Sequence, residues 1–81
     1  MRLSDFILLS EEEKKRTVLH DGVLIGKRDL VAYKIFLFQL ESFYVEAFCS
    51  LQSRIVEEYR AFTNTNQLQP YLQAIPLDNL L

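Results

Sequence analysis

The stretch from Tyr33 to Leu51, Y-K-I-F-L-F-Q-L-E-S-F-Y-V-E-A-F-C-S-L, constrains this chain more than any other. It holds four of the six phenylalanines, two of the four tyrosines and the single cysteine. β-Branched and aromatic residues at this density read as strands, and the polar pair Glu41-Ser42 divides the run in two. The spacing predicts a hairpin, with one strand near Tyr33–Leu40 and a second near Phe43–Ser50. A two-residue turn sets Leu40 opposite Phe43, Phe38 opposite Val45, Phe36 opposite Ala47 and Lys34 opposite Cys49. Glu-Ser lacks the glycine or asparagine that a type I′ turn favours, so a longer turn stays open.

Period-two alternation then sorts the side chains onto two faces. Phe36, Phe38, Leu40, Phe43, Val45, Ala47 and Cys49 form an almost wholly apolar face, expected to lie under a helix. The other face carries Tyr33, Ile35, Leu37, Gln39, Tyr44, Glu46, Phe48 and Ser50. It is too apolar for a solvated surface and too polar for a dry core. Three accounts compete for it: cover by a terminal segment, sheet-to-sheet packing of two copies, or docking of a partner protein. On the last two, Ile35, Leu37, Tyr44, Glu46 and Phe48, with Leu77 and Leu80 of the apolar tail, are candidate interface residues.

The flanking segments complete an α+β fold: a four-stranded antiparallel meander with an N-terminal helix and a short C-terminal helix. Met1–Leu9 is a short, mostly apolar lead-in, with Leu3, Phe6 and Ile7 on one side of a helical turn. Ser10 followed by Glu13 is a capping-box pattern, and it starts a helix from Glu11 to about His20. Asp21-Gly22 ends that helix, with Gly22 as a left-handed cap. Val23–Lys27 reads as a short edge strand, with Val23 and Ile25 on one face. Gly26 in it marks a bulge or a close packing contact. Arg28–Val31 is a turn, and Arg54–Phe62 is the fourth strand. A strict two-residue turn at Gln52-Ser53 would put Glu58 and Arg60 on the core face, so an irregularity is expected between Leu51 and Ile55. A helix over Ser50–Arg60 is the ranked alternative. After the loop Thr63–Asn66, Gln67–Ala74 reads as a short helix. Pro70 fits its first turn, Leu68, Leu72 and Ile75 share a face, and Pro76 stops it. The 81 residues make one small domain, with a core over 10–75 and an apolar tail over 76–81.

Charge narrows the function classes. Nine basic and eleven acidic side chains give a formal net charge of -2. Lys14-Lys15-Arg16 follows Glu11-Glu12-Glu13, and Asp29 follows Lys27-Arg28, so no strong nucleic-acid signal stands out. One cysteine permits no internal disulfide, which fits a cytoplasmic protein. The short apolar run after Met1-Arg2, interrupted by Asp5 and Ser10, is not expected to be a secretory leader. The run Ile35–Leu40 is too short to span a membrane. His20 stands alone without ligand spacing to a second His or Cys, and no metal or cofactor is implied. Cys49 has no local imidazole partner. Glu57 and Glu58 point to opposite sides of a strand. Gly22 and Gly26 do not form a phosphate loop. No catalytic residue is assigned. Glu46, set among aromatics, is the one carboxylate of interest, with Lys34, Arg54 or Arg60 as cross-strand partners.

Gly22-x-x-x-Gly26, Tyr33-Lys34-Ile35-x-Leu37-x-x-Leu40, Phe43-Tyr44-Val45-Glu46, Arg60-Ala61-Phe62 and Gln67-Leu68-Gln69-Pro70-Tyr71-Leu72 form a pattern. It resembles a group of small uncharacterised bacterial proteins of the Bacteroidetes type, over roughly Leu9 to Ile75. The resemblance implies a compact helix–meander–helix domain and no catalytic assignment. Glu57-Glu58 departs from the group's alternation and puts the local register in question. The leading expectation is a small non-catalytic protein-interaction module, pairing with its own copy as a homodimer or with an unidentified protein. Two alternatives remain. One is a small ligand-binding or catalytic domain whose pocket gathers Glu46, Tyr44 and Tyr59. The other is a nucleic-acid-associated regulator in which Lys14, Lys15, Arg16, Lys27 and Arg28 converge.

Overall fold

The structure is a computed structural model, and it describes residues 1–72. Its elements in order are α1 (Leu3–Ile7), α2 (Glu11–Asp21), β1 (Val23–Asp29), β2 (Tyr33–Gln39), β3 (Tyr44–Ser50), β4 (Val56–Phe62), a 3₁₀ turn (Thr65–Leu68) and α3 (Gln69–Leu72). The four strands form one antiparallel meander in the order β1-β2-β3-β4. The fold is therefore α+β, with helical segments before and after the sheet.

Ser10 starts α2 as its spacing requires. The Ser10 hydroxyl accepts from the Glu13 amide at 3.2 Å, and Glu13 Oε1 accepts from the Ser10 amide at 3.4 Å. Glu11, Glu12 and Glu13 in the first turn and His20 in the last complement the helix dipole. The end of α2 corrects one expectation. Gly22 is not left-handed: its φ is -84°, and its amide bonds back to the Val18 carbonyl at 3.0 Å. Glycine is needed there for space, because a Cβ would lie 2.5 Å from the Val18 carbonyl oxygen. In the lead-in, α1 buries Phe6 but leaves Ile7 exposed, so the two do not share a buried side.

The central hairpin has the two-residue turn at Glu41-Ser42. The Leu40 amide donates to the Phe43 carbonyl at 2.8 Å. Phe38 pairs with Val45, Phe36 with Ala47 and Lys34 with Cys49. β1 is an edge strand two residues longer than its hydrophobic run suggests, and its ladder slips between Leu24 and Gly26. That bulge breaks the alternation that would have set Val23 and Ile25 on one face.

The β3–β4 pair is irregular in two places, and the slip that changes the register falls at Glu57 inside β4, not between Leu51 and Ile55 as expected. Arg54 has φ 60°, a left-handed backbone that bends the turn after Ser53. The ladder then pairs Cys49 with Val56 but Phe48 with Glu58, leaving Glu57 as the extra residue of a bulge. The slip puts Tyr59 opposite Ala47 and Ala61 opposite Val45. Glu58 and Arg60 are thereby rotated off the face that α1 and α2 cover.

Helical segments pack on both faces of the sheet. On one, Phe6 and Val18 from the helices pack on Leu40, Phe43 and Val45, with the Phe6 and Phe43 ring centroids 5.5 Å apart. On the other, Ile35, Leu37, Phe48 and Phe62 pack beneath Tyr71 and Leu68 of the C-terminal segment. The expected continuation of the C-terminal helix through Ala74, the stop at Pro76 and the tail lie outside the described residues.

Candidate functional site

The second face of the hairpin is built around one carboxylate. Glu46 in β3 is 6% exposed. Its Oε2 accepts from the Tyr71 hydroxyl at 2.6 Å and from Arg28 Nη2 at 3.2 Å. The Arg28 guanidinium also lies 5.5 Å from the centre of the Tyr71 ring. Burial, then the bond to Glu46, pushes the Tyr71 hydroxyl well above the usual tyrosine range, with Arg28 pulling the other way. The Tyr71 ring in turn needs Gly26. A Cβ on Gly26 would meet Tyr71 Cδ1 at 3.0 Å, so β1 leaves a flat place for the ring. The geometry is a clamp. A buried acid, a cation and a phenol fix the C-terminal segment onto the sheet.

Of the candidate interface residues, Ile35, Leu37 and Phe48 are 0%, 2% and 7% exposed, beneath that segment. Tyr44 is half-buried and stacks on Phe62 at 5.6 Å. A partner reaching Ile35, Leu37, Glu46 or Phe48 would have to displace Tyr71 and Leu68. Leu77 and Leu80 lie outside the described residues. The cross-strand partners expected for Glu46 are not its partners. Arg60 stands opposite it in the ladder, but its guanidinium lies over Phe48, 4.6 Å from the ring centre, and bonds Glu58 at 3.1 Å. Lys34 is on the opposite face, and Arg54 is in the β3–β4 turn. Sequence reasoning missed Arg28 and Tyr71 as partners. Their one signal was Gly26, which marked a close approach to β1.

The pocket of Glu46, Tyr44 and Tyr59 does not form. Tyr59 pairs with Ala47 and packs against the cluster of Phe6 and Val45, on the other side of the sheet from Glu46. Nor do the five basic residues converge. Lys14 is tied to Glu11 at 3.5 Å on the α2 side, whereas Arg28 reaches Glu46 on the far side.

An apolar opening lies elsewhere, because α2 covers only part of its face of the sheet. Beside the helix runs a groove of about 320 Å³, lined by Lys15, Val18, Leu19, Leu24, Phe36, Phe38, Ala47, Val56 and Tyr59. Leu19 is 67% and Leu24 49% exposed, although both border this apolar floor. Lys15, Val56 and Tyr59 also line an adjoining groove with Glu11, Glu12, Arg54, Ile55 and Glu57, so the surface continues to β4. The alternation of the hairpin identifies the floor residues Phe36 and Ala47 and places a helix over them. It carries no sign that an eleven-residue α2, with Val18 as its one fully buried side chain, leaves that cover incomplete.

No described helix is long and apolar enough to cross a membrane. No family model, curated protein or solved structure matches this chain, so its function is argued from its own residues.

Proposed function

We propose that this chain is a small non-catalytic protein-interaction module whose docking surface is the open groove between α2 and the sheet. One observation carries the reading: Leu19, mostly exposed, and Leu24, half exposed, border a continuous floor of Phe36, Phe38, Ala47 and Val56. Contiguous apolar surface of this kind on a small protein marks an interaction site. The groove is open to solvent and continues towards β4, which suits an extended or helical chain segment. The one buried carboxylate among the described residues is committed to Tyr71 and Arg28, which supports a structural duty for it. Cytoplasmic residence goes with the reading, supported by Cys49 as the single, free cysteine.

An uncharged polarity-sensitive dye tests the docking surface. The folded protein should shift and brighten its emission, and Phe36→Asp should abolish the response while circular dichroism stays unchanged. A folded protein that gives no response, or one indifferent to Phe36→Asp, rejects the reading.

Pairing with a second copy is the narrower form of the proposal, and a separate observation favours it. Val23, Leu24 and Ile25 are consecutive exposed apolar residues on β1, and no described strand pairs with its outer edge. Such an edge is a template for strand addition. Light scattering over a wide concentration range should then show a dimer that Leu24→Lys dissociates. A strict monomer at the highest concentration removes the homodimer.

A further inference from the structure

We infer that the groove beside α2 receives an acidic amphipathic segment of a partner protein. This rests on the interaction reading above and adds the chemistry of the partner. The floor selects apolar side chains, and the charge selects the rest. Lys15 lines the groove from α2. Lys27 stands opposite Phe36 in the β1–β2 ladder and leaves the sheet on the same side. Lys34 precedes Phe36 by two positions in β2 and shares that face. Among the described residues none of these three lysines closes an ion pair, whereas Lys14, Arg28 and Arg60 are held by Glu11, Glu46 and Glu58. Asp29 stands opposite Lys34 in the ladder without closing a pair.

The acids of the groove are at its other end. Glu11, Glu12 and Glu57, with Arg54 among them, lie where it continues past Val56 and Tyr59 towards β4. The surface is therefore apolar along its middle, cationic on the neighbouring positions of β1 and β2, where Lys27 and Lys34 outnumber Asp29, and mixed in charge towards β4. A complementary segment lays its apolar side chains on Phe36, Leu24 and Val56 and turns carboxylates towards Lys15, Lys27 and Lys34. The aliphatic stems of those lysines extend the apolar floor while their ammonium groups stay wet. The α2 helix of a second copy does not meet this description. Helical spacing puts Glu13, Arg16 and His20 on the side of α2 away from the buried Val18, with no apolar side chain among them.

Fluorescence anisotropy with three labelled helical peptides tests the inference. Their apolar positions are identical and their polar positions are all Glu, all Gln or all Lys. The Glu peptide should bind ~10-fold or more tightly than the Lys peptide, the sum of several exposed ion pairs. Its affinity should fall with added salt. Lys27→Glu combined with Lys34→Glu should reverse the order. Equal binding of all three peptides, lost in Phe36→Asp, overturns the charge preference and leaves the interaction reading standing. Binding by none of them overturns both. A stable dimer that excludes the Glu peptide, or binding seen only after residues 73–81 are removed, assigns the groove to this chain itself and overturns the inference.

Discussion

Removing one hydroxyl tests the clamp on the second face of the sheet. Tyr71→Phe keeps the ring against Gly26 and over Arg28, and deletes only the 2.6 Å bond to Glu46. A hydrogen bond to a charged group contributes about 1.5–3 kcal/mol. The upper part of that range applies, because the Glu46 carboxylate stays buried with Arg28 as its one remaining side-chain partner among the described residues. A loss of about 2.5 kcal/mol lowers the Tm of a domain this size by roughly 10–20 °C. Urea unfolding followed by far-ultraviolet circular dichroism measures it directly. Glu46→Gln supplies the second arm of a double-mutant cycle, since it converts a charge-assisted bond into a neutral one. The two substitutions should couple by at least ~1 kcal/mol. A Tyr71→Phe protein within ~0.5 kcal/mol of the parent, or strict additivity in the cycle, refutes the clamp.

Three further outcomes follow from single groups. The Tyr71 hydroxyl is raised by burial and then by Glu46, so its contribution is complete below the unfolded tyrosine value of about 10 and is lost as pH rises through the higher folded value. Unfolding followed above pH 10 should therefore show a shallower loss of stability in Tyr71→Phe; Tyr33, raised by its bond to Glu57, and Tyr59, raised by burial, keep the remaining slope. Arg54→Gly should raise stability by about 0.5–1 kcal/mol, because a left-handed arginine costs roughly 1–2 kcal/mol and glycine returns part of that as chain entropy; a lower urea midpoint would contradict it. Gly22→Ala should cost about 1–3 kcal/mol, since its Cβ would collide with the Val18 carbonyl and press on Phe38, and an unchanged midpoint would show that the helix end yields freely.

The hairpin was legible in the sequence because its information is local. Period two and one polar dipeptide determine which of Phe36, Phe38, Val45 and Ala47 face together, and the ladder has that register. The helix start was legible for the same reason: Ser10 and Glu13 close their own bonds within one turn. The misplaced features depend on distant atoms. Gly22 reads as a left-handed cap because glycine has two uses, conformational freedom and lack of bulk. The choice is made by the Val18 carbonyl. In β4 the sequence shows that some slip must occur. Its place, with Glu57 bulged and Arg54 left-handed, depends on how Tyr59 and Ala61 settle beneath the helices.

The candidate site shows the same limit more sharply. A half-apolar strand face with a glutamate in its middle can be a surface awaiting a partner, or an interior awaiting a cover. The hairpin alone does not distinguish them. Tyr71 does, but it lies 25 positions from Glu46 in the sequence, and its pairing leaves no periodic trace. Arg28, 18 positions away, reads in the sequence as one more basic residue open to a polyanion; only the fold brings it to Glu46. The apolar surface left open is then on the opposite face, where the pattern was plainest. α2 is short and has one apolar residue fully seated on the sheet, so it cannot cover four strands. The more apolar face of the hairpin is thus the less completely covered one. Exposed apolar surface in so small a fold follows from how far each terminal segment reaches across the sheet, as well as from which strand face is more hydrophobic.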